Sequence, residues 1–231
     1  RPVGLLDAVG ARDASFARRV LRGLAEAAHA WDVPVLGGHT QVGVPGALSV
    51  TALGRVDPGL RGAVPGGGGR AGETLRVTAD LGGAWRPGYA GAQWDSSSHR
   101  SGAELRQLAD AVPALRPTAA KDVSMSGLVG TAGMLAEASG CGALLDVAAI
   151  PTPPTAGAAD WLTCFPGFAM ITAHAEGPEL ASALPGFVTS AACGELIDGD
   201  GVQLRWPDGV TTRVISRTVT GLGPASSKDI A

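Results

Sequence analysis

Several features are scarce in this chain of 231 residues, and each scarcity narrows the possible functions. The three cysteines are an odd number without metal-ligand spacing, which argues against a disulfide framework and against a zinc site. No apolar stretch approaches the roughly 20 residues that span a bilayer, and the first residues do not read as a signal peptide. We therefore expect a cytoplasmic protein without a membrane partner.

The sequence also contains no run of like charges. The 21 acidic and 18 basic residues give a formal net charge of -3. A nucleic-acid surface needs a basic patch, and the composition offers none, so we expect no nucleic-acid partner. With 45% hydrophobic and 17% charged residues, the chain has the composition of a globular protein with one large core or two modest ones.

Glycine is abundant, with 35 residues, whereas aromatic residues make up 4% of the chain. Clusters at 37–38, 82–83 and 126–142 predict tight turns at which the backbone approaches another group closely. The run at 65–69 lies between two strand-like segments and predicts a flexible linker. We therefore predict one domain at residues 1–64, a second at 70–225, and a tail at 226–231.

The spacing of apolar residues predicts a mixed α/β (or α+β) fold class, with a fragment of a domain before the linker and a mixed α/β sandwich after it. Asp13 is a candidate N-cap, and Ser101 with Glu104 forms a capping-box pattern. The predicted helices are 13–31, 101–112, 127–138 (stopped near Gly140) and 178–184. The predicted strands are 48–53, 73–80, 143–147, 168–174, 191–197, 202–206 and 211–216, the last two joined by a turn at 207–209.

The segment from Lys121 to Gly130 is the most informative stretch of the sequence. It places a carboxylate, hydroxyls and glycines where a loop is predicted to turn into an apolar helix. That helix is expected to bury Asp122, and a buried carboxylate needs donors, a cation or a metal. Two alternatives stay open: Asp122 is a helix N-cap, and Lys121 is a solvated side chain rather than a partner for phosphate.

A second candidate segment is Gly37-Gly38-His39-Thr40, which follows an apolar strand. Two glycines in a turn let backbone amides face an anion, and Thr40 adds a hydroxyl, so contact with phosphate is chemically sensible. The alternative is an ordinary Gly-Gly turn with a histidine that is satisfied locally.

The segment from Trp85 to Arg100 concentrates aromatic and basic residues in a chain that has few aromatics. A polar loop that exposes aromatic rings suits the capture of a small-molecule substrate, and Arg86 and Trp94 are the candidate contacts. The alternative is a surface loop that its tryptophan rings hold against the core.

Four sequence motifs, taken in order, resemble those of the aminoimidazole ribonucleotide (AIR) synthase superfamily, also called PurM-like. The resemblance rests on residues 33–40, Gly72-Glu73-Thr74-Leu75, Lys121-Asp122-Val123-Ser124 and Cys193-Gly194-Glu195-Leu196-Ile197. It implies a PurM-like two-domain fold, in which residues 1–64 are the end of an ATP-binding, dimerising amino-terminal domain. Relatives carry a further amino-terminal segment, so we expect the amino-terminal third of the module to be missing here.

The resemblance also implies roles for individual residues. Asp122 matches the metal-binding Asp of the pattern Asp-x-Ser/Thr-x-x-Gly-Leu, and ATP with Mg²⁺ is the expected cofactor pair. His39 stands where kinase-like relatives have Asp, which favours a phosphate donor over a metal ligand. Met125 and Ser126 supply no second Asp, so direct phosphoryl transfer of the thiamine type is less favoured. The expected cofactor-binding residues are Gly37, Gly38, His39, Thr40, Lys121, Ser124 and Gly127.

Two classes of function follow from the resemblance. The first is an ATP- and Mg²⁺-dependent enzyme, of ligase or kinase type, that activates or phosphorylates an oxygen centre of a small metabolite. The second is a non-catalytic scaffold or a ligand-binding subunit of a larger assembly. In both we expect a homodimer, and in the first we expect His39 and Asp122 to face one cavity between the domains.

Overall fold

The computed structural model describes residues 1–56, 62–175 and 184–225. The chain packs as two compact units: Arg1–Ala63 with Arg100–Gln107, and Val64–His99 with Leu108–Ala231. The sequence did not indicate that residues 100–107 return to the first unit. Packing defines these units, and the domain limits stated above stay a prediction.

The first unit is a three-stranded sheet with a long helix. Its middle strand is β1 (Pro2–Ala11), which runs parallel to β2 (Val35–Val42) and antiparallel to β3 (Ala47–Gly54). Helix α1 (Ala14–Trp31) connects β1 to β2, because two parallel neighbours need a crossover rather than a hairpin.

Asp13 begins α1 as predicted. Its side chain accepts a hydrogen bond of 2.7 Å from the backbone N–H of Phe16, which satisfies one of the free donors of the first turn. The helix predicted at 13–31 and the strand predicted at 48–53 are therefore confirmed.

The second unit is built on a seven-stranded sheet with the order β13-β12-β8-β11-β4-β10-β7. Neighbouring strands are antiparallel except β12 and β8, which are parallel. The strands are β4 (Thr74–Ala79), β7 (Ala119–Asp122), β8 (Gly142–Asp146), β10 (Ala169–His174), β11 (Thr189–Ile197), β12 (Val202–Arg205) and β13 (Thr211–Ile215). A small second sheet consists of β5 (Ala84–Trp85), β6 (Gln93–Asp95) and β9 (Phe165–Pro166).

One face of the large sheet packs against helix α3 (Gly127–Ser139). Leu128 and Leu135 of this helix share a buried apolar cluster with Leu75 and Val77, which alternate along β4 with polar residues. Helix α3 ends at Gly140, whose φ of 69° is the left-handed value that glycine tolerates best. Helices α2 (Gly102–Ala114) and α4 (Ala158–Thr163) complete the regular structure described here.

Most predicted elements of the second unit are confirmed, and so is the capping box at the start of α2. The backbone N–H of Ser101 donates to a carboxylate oxygen of Glu104 (2.8 Å), and the N–H of Glu104 donates to the Ser101 hydroxyl (3.3 Å). The helix predicted at 178–184 falls mainly on residues outside the described ranges. Helix α4 and the small sheet were not predicted. In the part of the chain that the structure describes, no helix has the length and apolarity to cross a membrane.

The glycine run at 65–69 is not a flexible linker, and that expectation was wrong. The carbonyl of Pro65 accepts a hydrogen bond from Ala120 (2.9 Å), and the N–H of Gly69 donates to the Ser139 hydroxyl (3.2 Å). Gly67 is buried, and a Cβ there would lie 2.6 Å from the carbonyl carbon of Ala138. The segment is glycine-rich because it packs tightly against the end of α3.

Candidate functional site

Asp122 is the last residue of β7, which lies at one edge of the seven-stranded sheet. It stands opposite Met170 of β10, and its side chain is exposed. The expectation that the following helix buries Asp122 was wrong, because an edge strand carries the residue outward while α3 packs on the sheet. The N-cap alternative also fails, since the cap position belongs to Ser126, which makes no side-chain cap bond.

The loop between β7 and α3 makes backbone hydrogen bonds both within itself and to β10. The N–H of Val123 donates to the carbonyl of Ala169 (2.9 Å), and the N–H of Gly127 donates to the carbonyl of Ser124 (2.9 Å). The Thr131 hydroxyl, which is buried, donates to the carbonyl of Gly127 (2.7 Å). Lys121 and Ser124, both partly exposed, therefore stand on a fixed backbone next to the amino terminus of α3.

Gly127 is required by the packing of the chain itself. Its φ is 65°, and a Cβ at this position would lie 2.6 Å from the Cα of Thr163 and 2.8 Å from the carbonyl oxygen of Leu162. The end of α4 thus occupies the space that a side chain would need. This packing explains the glycine without any phosphate.

Gly37-Gly38-His39-Thr40 is not a turn, and that prediction was wrong. All four residues lie within β2, because β1 offers a parallel pairing partner as far as Val42. All four are exposed. They belong to the first unit and Lys121–Gly127 to the second, and the cavity that His39 and Asp122 are expected to share stays a prediction.

Asp7 is a candidate residue that the sequence reasoning missed. It pairs with Gly38 in the register of β1 and β2, and a Cβ on Gly38 would collide with its carboxylate. A carboxylate therefore lies beside the Gly-Gly segment even though His39 stands where kinase-like relatives have Asp. The available signal was an acidic residue in the middle of the apolar run Leu5-Leu6-Asp7-Ala8-Val9.

Trp94 is buried rather than exposed, so its predicted role in substrate capture is corrected. It is 1% exposed, its ring meets Trp85 and Trp161 edge to face at 5.1 and 6.1 Å, and its indole N–H donates to the carbonyl of Gly82 (2.8 Å). T-shaped packing of this kind stabilises a core. The structure therefore agrees with the alternative, in which tryptophan rings hold the loop against the core.

Arg86 remains an exposed candidate. Its guanidinium lies 5.7 Å from the ring centre of Tyr89 and donates to the Gln93 side chain (3.3 Å). Tyr89 itself is 56% exposed, so the aromatic ring that this loop offers to solvent is the tyrosine. Asp95 lies on the same small sheet. Burial alone would raise its pKa, but hydrogen bonds from Ser98 and the nearby positive charges hold that pKa below the ordinary value.

The described side chains offer Mg²⁺ a single carboxylate rather than a cage of several protein ligands. Among the residues that the structure describes, no three His, Cys, Asp or Glu side chains converge on a point that could hold a metal. Mg²⁺ rarely needs such a cage, because it keeps several waters and commonly binds through one or two carboxylates plus substrate phosphates. The exposed carboxylate of Asp122 fits that second mode.

A shallow groove of about 400 Å³ lies at the carboxyl end of α1 and contains none of these candidates. It is lined by Ala25, Ala28, His29, Asp32, Val33, Pro34 and Val35. Its walls are mostly small and apolar, and the candidate site is therefore better defined by the loops than by this groove.

Two family models match this chain. The AIR synthase related protein N-terminal domain matches residues 1–56, and the AIR synthase related protein C-terminal domain matches residues 86–207. An uncharacterised protein of Synechocystis sp. is 33% identical over 176 residues, which are 74% of this chain and 53% of that protein. The thiamine-monophosphate kinase of Caulobacter vibrioides is 34% identical over 177 residues, which are 70% of this chain and 47% of the kinase. The chain thus spans about half the length of these two relatives.

Solved structures confirm the predicted fold class. PurL of Thermotoga maritima complexed with ATP superposes with a TM-score of 0.68 at 15% identity, covering 95% of this chain and 38% of that chain. HypE of E. coli gives 0.67 at 17% identity, covering 92% of this chain and 73% of that chain. At such identities the likeness concerns the PurM-like fold alone.

Proposed function

We propose that this chain, which belongs to the family of AIR synthase-related proteins, acts as an ATP- and Mg²⁺-dependent enzyme that phosphorylates or otherwise activates an oxygen atom of a small metabolite. Its 34% identity with a thiamine-monophosphate kinase supports the use of ATP. The fold that it shares with a PurL complexed with ATP is compatible with that role.

The observation that carries the proposal is the position of Asp122. An exposed carboxylate ends β7, and a fixed loop leads from it to the amino terminus of α3. Asp122 would hold Mg²⁺, which when bound neutralises phosphate charge and polarises the phosphorus centre. The partial positive charge at the start of α3 would favour an anion at the far end of this loop.

The neighbours of Asp122 have separate roles in this proposal. Lys121 supplies a point charge to a phosphate oxygen, and Ser124 supplies a hydroxyl donor. Gly127 keeps the loop close to the end of α4. Asp122 and Lys121 are consecutive residues of β7 and point to opposite faces of the strand, so in this proposal they contact different parts of the nucleotide.

In the first unit, residues 37–40 of β2 are further proposed contacts for nucleotide phosphate. His39 and Thr40 would donate hydrogen bonds to phosphate oxygens, and the lack of a side chain on Gly37 leaves the strand backbone open to them. Asp7, which lies against Gly38, adds a carboxylate that a hard cation accepts as a ligand. On the acceptor side, the exposed guanidinium of Arg86 is the proposed contact for substrate.

Calorimetry with ATP and Mg²⁺ tests the proposal on Asp122→Asn. The amide keeps the shape of the side chain but loses the charge that Mg²⁺ demands, so we expect nucleotide affinity to fall at least tenfold with Mg²⁺ present. Without Mg²⁺ the two proteins should bind equally weakly. Asp110→Asn, an exposed carboxylate on α2, is the matched control and should bind like the wild type.

Equal affinities of wild type and Asp122→Asn in the presence of Mg²⁺ would refute the role of this residue. A wild-type chain whose stability does not respond to ATP and Mg²⁺ would instead favour the scaffold function, because a ligand that binds the native state raises apparent stability.

A further inference from the structure

The face of the large sheet that is turned away from α3 carries an unusual set of buried polar side chains. Leu75, Val77 and Ala79 of β4 enter the apolar cluster, so Arg76 and Thr78 lie on the opposite face. Their cross-strand partners on this face are two hydroxyl residues and two apolar ones: Thr172 and Met170 on β10, and Ser190 and Ala192 on β11. Asp122 stands opposite Met170 and belongs to the same face.

Arg76 is the exceptional member of this set. It is 6% exposed, and its guanidinium donates one hydrogen bond, of 3.3 Å, to the Ser190 hydroxyl. The ion pairs found among the described residues do not include it. Buried charges are normally paired, because taking a guanidinium out of water without a counter-charge is unfavourable.

Apart from the carboxylate of Glu73, the polar side chains described around Arg76 are neutral donors and acceptors. The hydroxyls of Ser190 and Thr78 are 2.8 Å apart, and the Thr172 hydroxyl is 2.8 Å from Nε2 of His174. Burial, with a smaller contribution from the charge of Arg76, lowers the pKa of His174, so its ring is neutral at pH 7. The nearby carboxylate of Glu73 accepts the Thr118 hydroxyl rather than the guanidinium.

The guanidinium is not sealed from small molecules. In the described ranges, the Ser96 hydroxyl is the only fully buried side-chain polar atom without a hydrogen-bond partner. The nitrogens of Arg76 that have no protein acceptor therefore still border accessible space. A cation of this kind, beside two hydroxyl groups, has the donors that an oxyanion needs.

We infer that Arg76, together with Ser190 and Thr78, binds a small oxyanion such as a phosphate or carboxylate group. Thr78 lies two strands away from Asp122, a separation of about 10 Å at the usual spacing of strands. The anion site is therefore distinct from the loop at Asp122, requires no metal, and does not depend on the nucleotide proposal. The planar fork of Arg76 can donate two parallel hydrogen bonds to such an anion.

Thermal unfolding of the whole chain, titrated with inorganic phosphate, tests this inference. Sodium chloride at matched ionic strength corrects for general salt effects. The wild type should show a saturable rise in Tm, and Arg76→Met should lose it or need at least tenfold more phosphate. Without phosphate, Arg76→Met should unfold at the same temperature as the wild type or higher, because an unpaired buried charge has been removed. Arg213→Met, on exposed β13, is the matched control and should respond like the wild type.

Three outcomes would overturn the inference: no saturable response in the wild type, an unchanged response in Arg76→Met, or loss of the response in Asp122→Asn, which would place the anion at the loop instead. A lower Tm of Arg76→Met without phosphate, combined with an unchanged response, would identify Arg76 as structural. Should Arg76→Met fail to fold, Arg76→Lys keeps the charge but not the fork. It should fold and bind phosphate more weakly, and wild-type affinity in that variant would count against the assignment.

Discussion

At the residue scale, two glycines of the candidate site, Gly38 and Gly127, are required by the packing of neighbouring residues. Gly38 leaves room for the carboxylate of Asp7, and Gly127 leaves room for the backbone of Thr163. A glycine-rich loop is easily read as a phosphate cradle, but the same lack of a side chain serves close packing of two backbones. Packing within the chain is therefore a sufficient reason for a glycine at each of these two positions.

We expect Gly127→Ala to lower the free energy of unfolding by about 2–4 kcal/mol, because both a left-handed φ and a clash with the backbone of α4 oppose the new methyl group. Gly209→Ala is the matched control. Its φ is 84°, but no atom lies within 4 Å of the added Cβ, so the backbone strain of about 1 kcal/mol should be its whole cost. Urea unfolding measures both, and equal losses would contradict the clash.

Single residues were the hardest to place from the sequence. A residue type indicates what chemistry is possible, while exposure depends on neighbours that are distant in the chain. Trp94 was expected at the surface and is buried because Trp85 of its own segment and Trp161 of a distant one pack against its ring. Asp122 was expected in the interior and is exposed because its strand ends up at the edge of the sheet.

At the scale of elements, α1, α2 and α3 were predictable because their start and stop signals are local. Asp13, the Ser101–Glu104 box and Gly140 each act within a few residues of the helix end that they fix. Strands of the small sheet are two or three residues long, and β9 becomes a strand only by pairing with β6, about 70 residues away in the sequence. No periodicity within the segment can supply that information.

A buried carboxylate on α3 ties the carboxyl-terminal segment to the second unit. Glu137 accepts hydrogen bonds from the backbone N–H groups of Val219 (2.7 Å), Thr220 (2.9 Å) and Gly223 (3.1 Å), and from the Thr220 hydroxyl (2.8 Å). Burial alone would raise its pKa, but these donors stabilise the charged form and lower the pKa to about 2. The segment has no regular secondary structure, so this carboxylate takes the place of a strand partner.

We expect Glu137→Gln to lower the free energy of unfolding at pH 7 by about 1–3 kcal/mol, because an amide accepts more weakly and its NH₂ group faces donors. The folded pKa lies below the ordinary 4.5. The stabilisation is therefore complete above pH 4.5 and is lost as the pH falls toward 2. Unfolding measured at pH 7 and at pH 3 should show the difference between wild type and variant shrinking in acid. A difference that does not change with pH would mean that the charge of Glu137 contributes nothing.

At the scale of the whole molecule, the order of the sequence motifs was enough to predict the family and the fold, since both family models and the solved structures bear them out. Motif order survives sequence divergence because the strands that carry the motifs must follow one another in the same topology. The order of motifs does not predict how residues 37–40 and residues 121–127 are arranged in space. That arrangement depends on packing between units, about which the spacing of residues along the chain says nothing.

The last prediction concerns the sheet of the first unit, whose strand β3 lies at an edge and carries exposed apolar side chains, among them Leu48 (53% exposed), Val50 (44%) and Leu53 (40%). Such an edge offers unpaired backbone groups beside apolar surface, so two copies of the chain should pair through it as a homodimer. Light scattering at micromolar concentration should give twice the mass of the chain. Leu48→Lys should give a single chain mass without a loss of fold by circular dichroism, because a charge at an apolar interface must be desolvated while in the monomer it faces water. Val210→Lys, an equally exposed apolar position outside this sheet, should remain dimeric. A monomeric wild type, or a Leu48→Lys variant that is still a dimer, would show that the exposed strand has another partner or none.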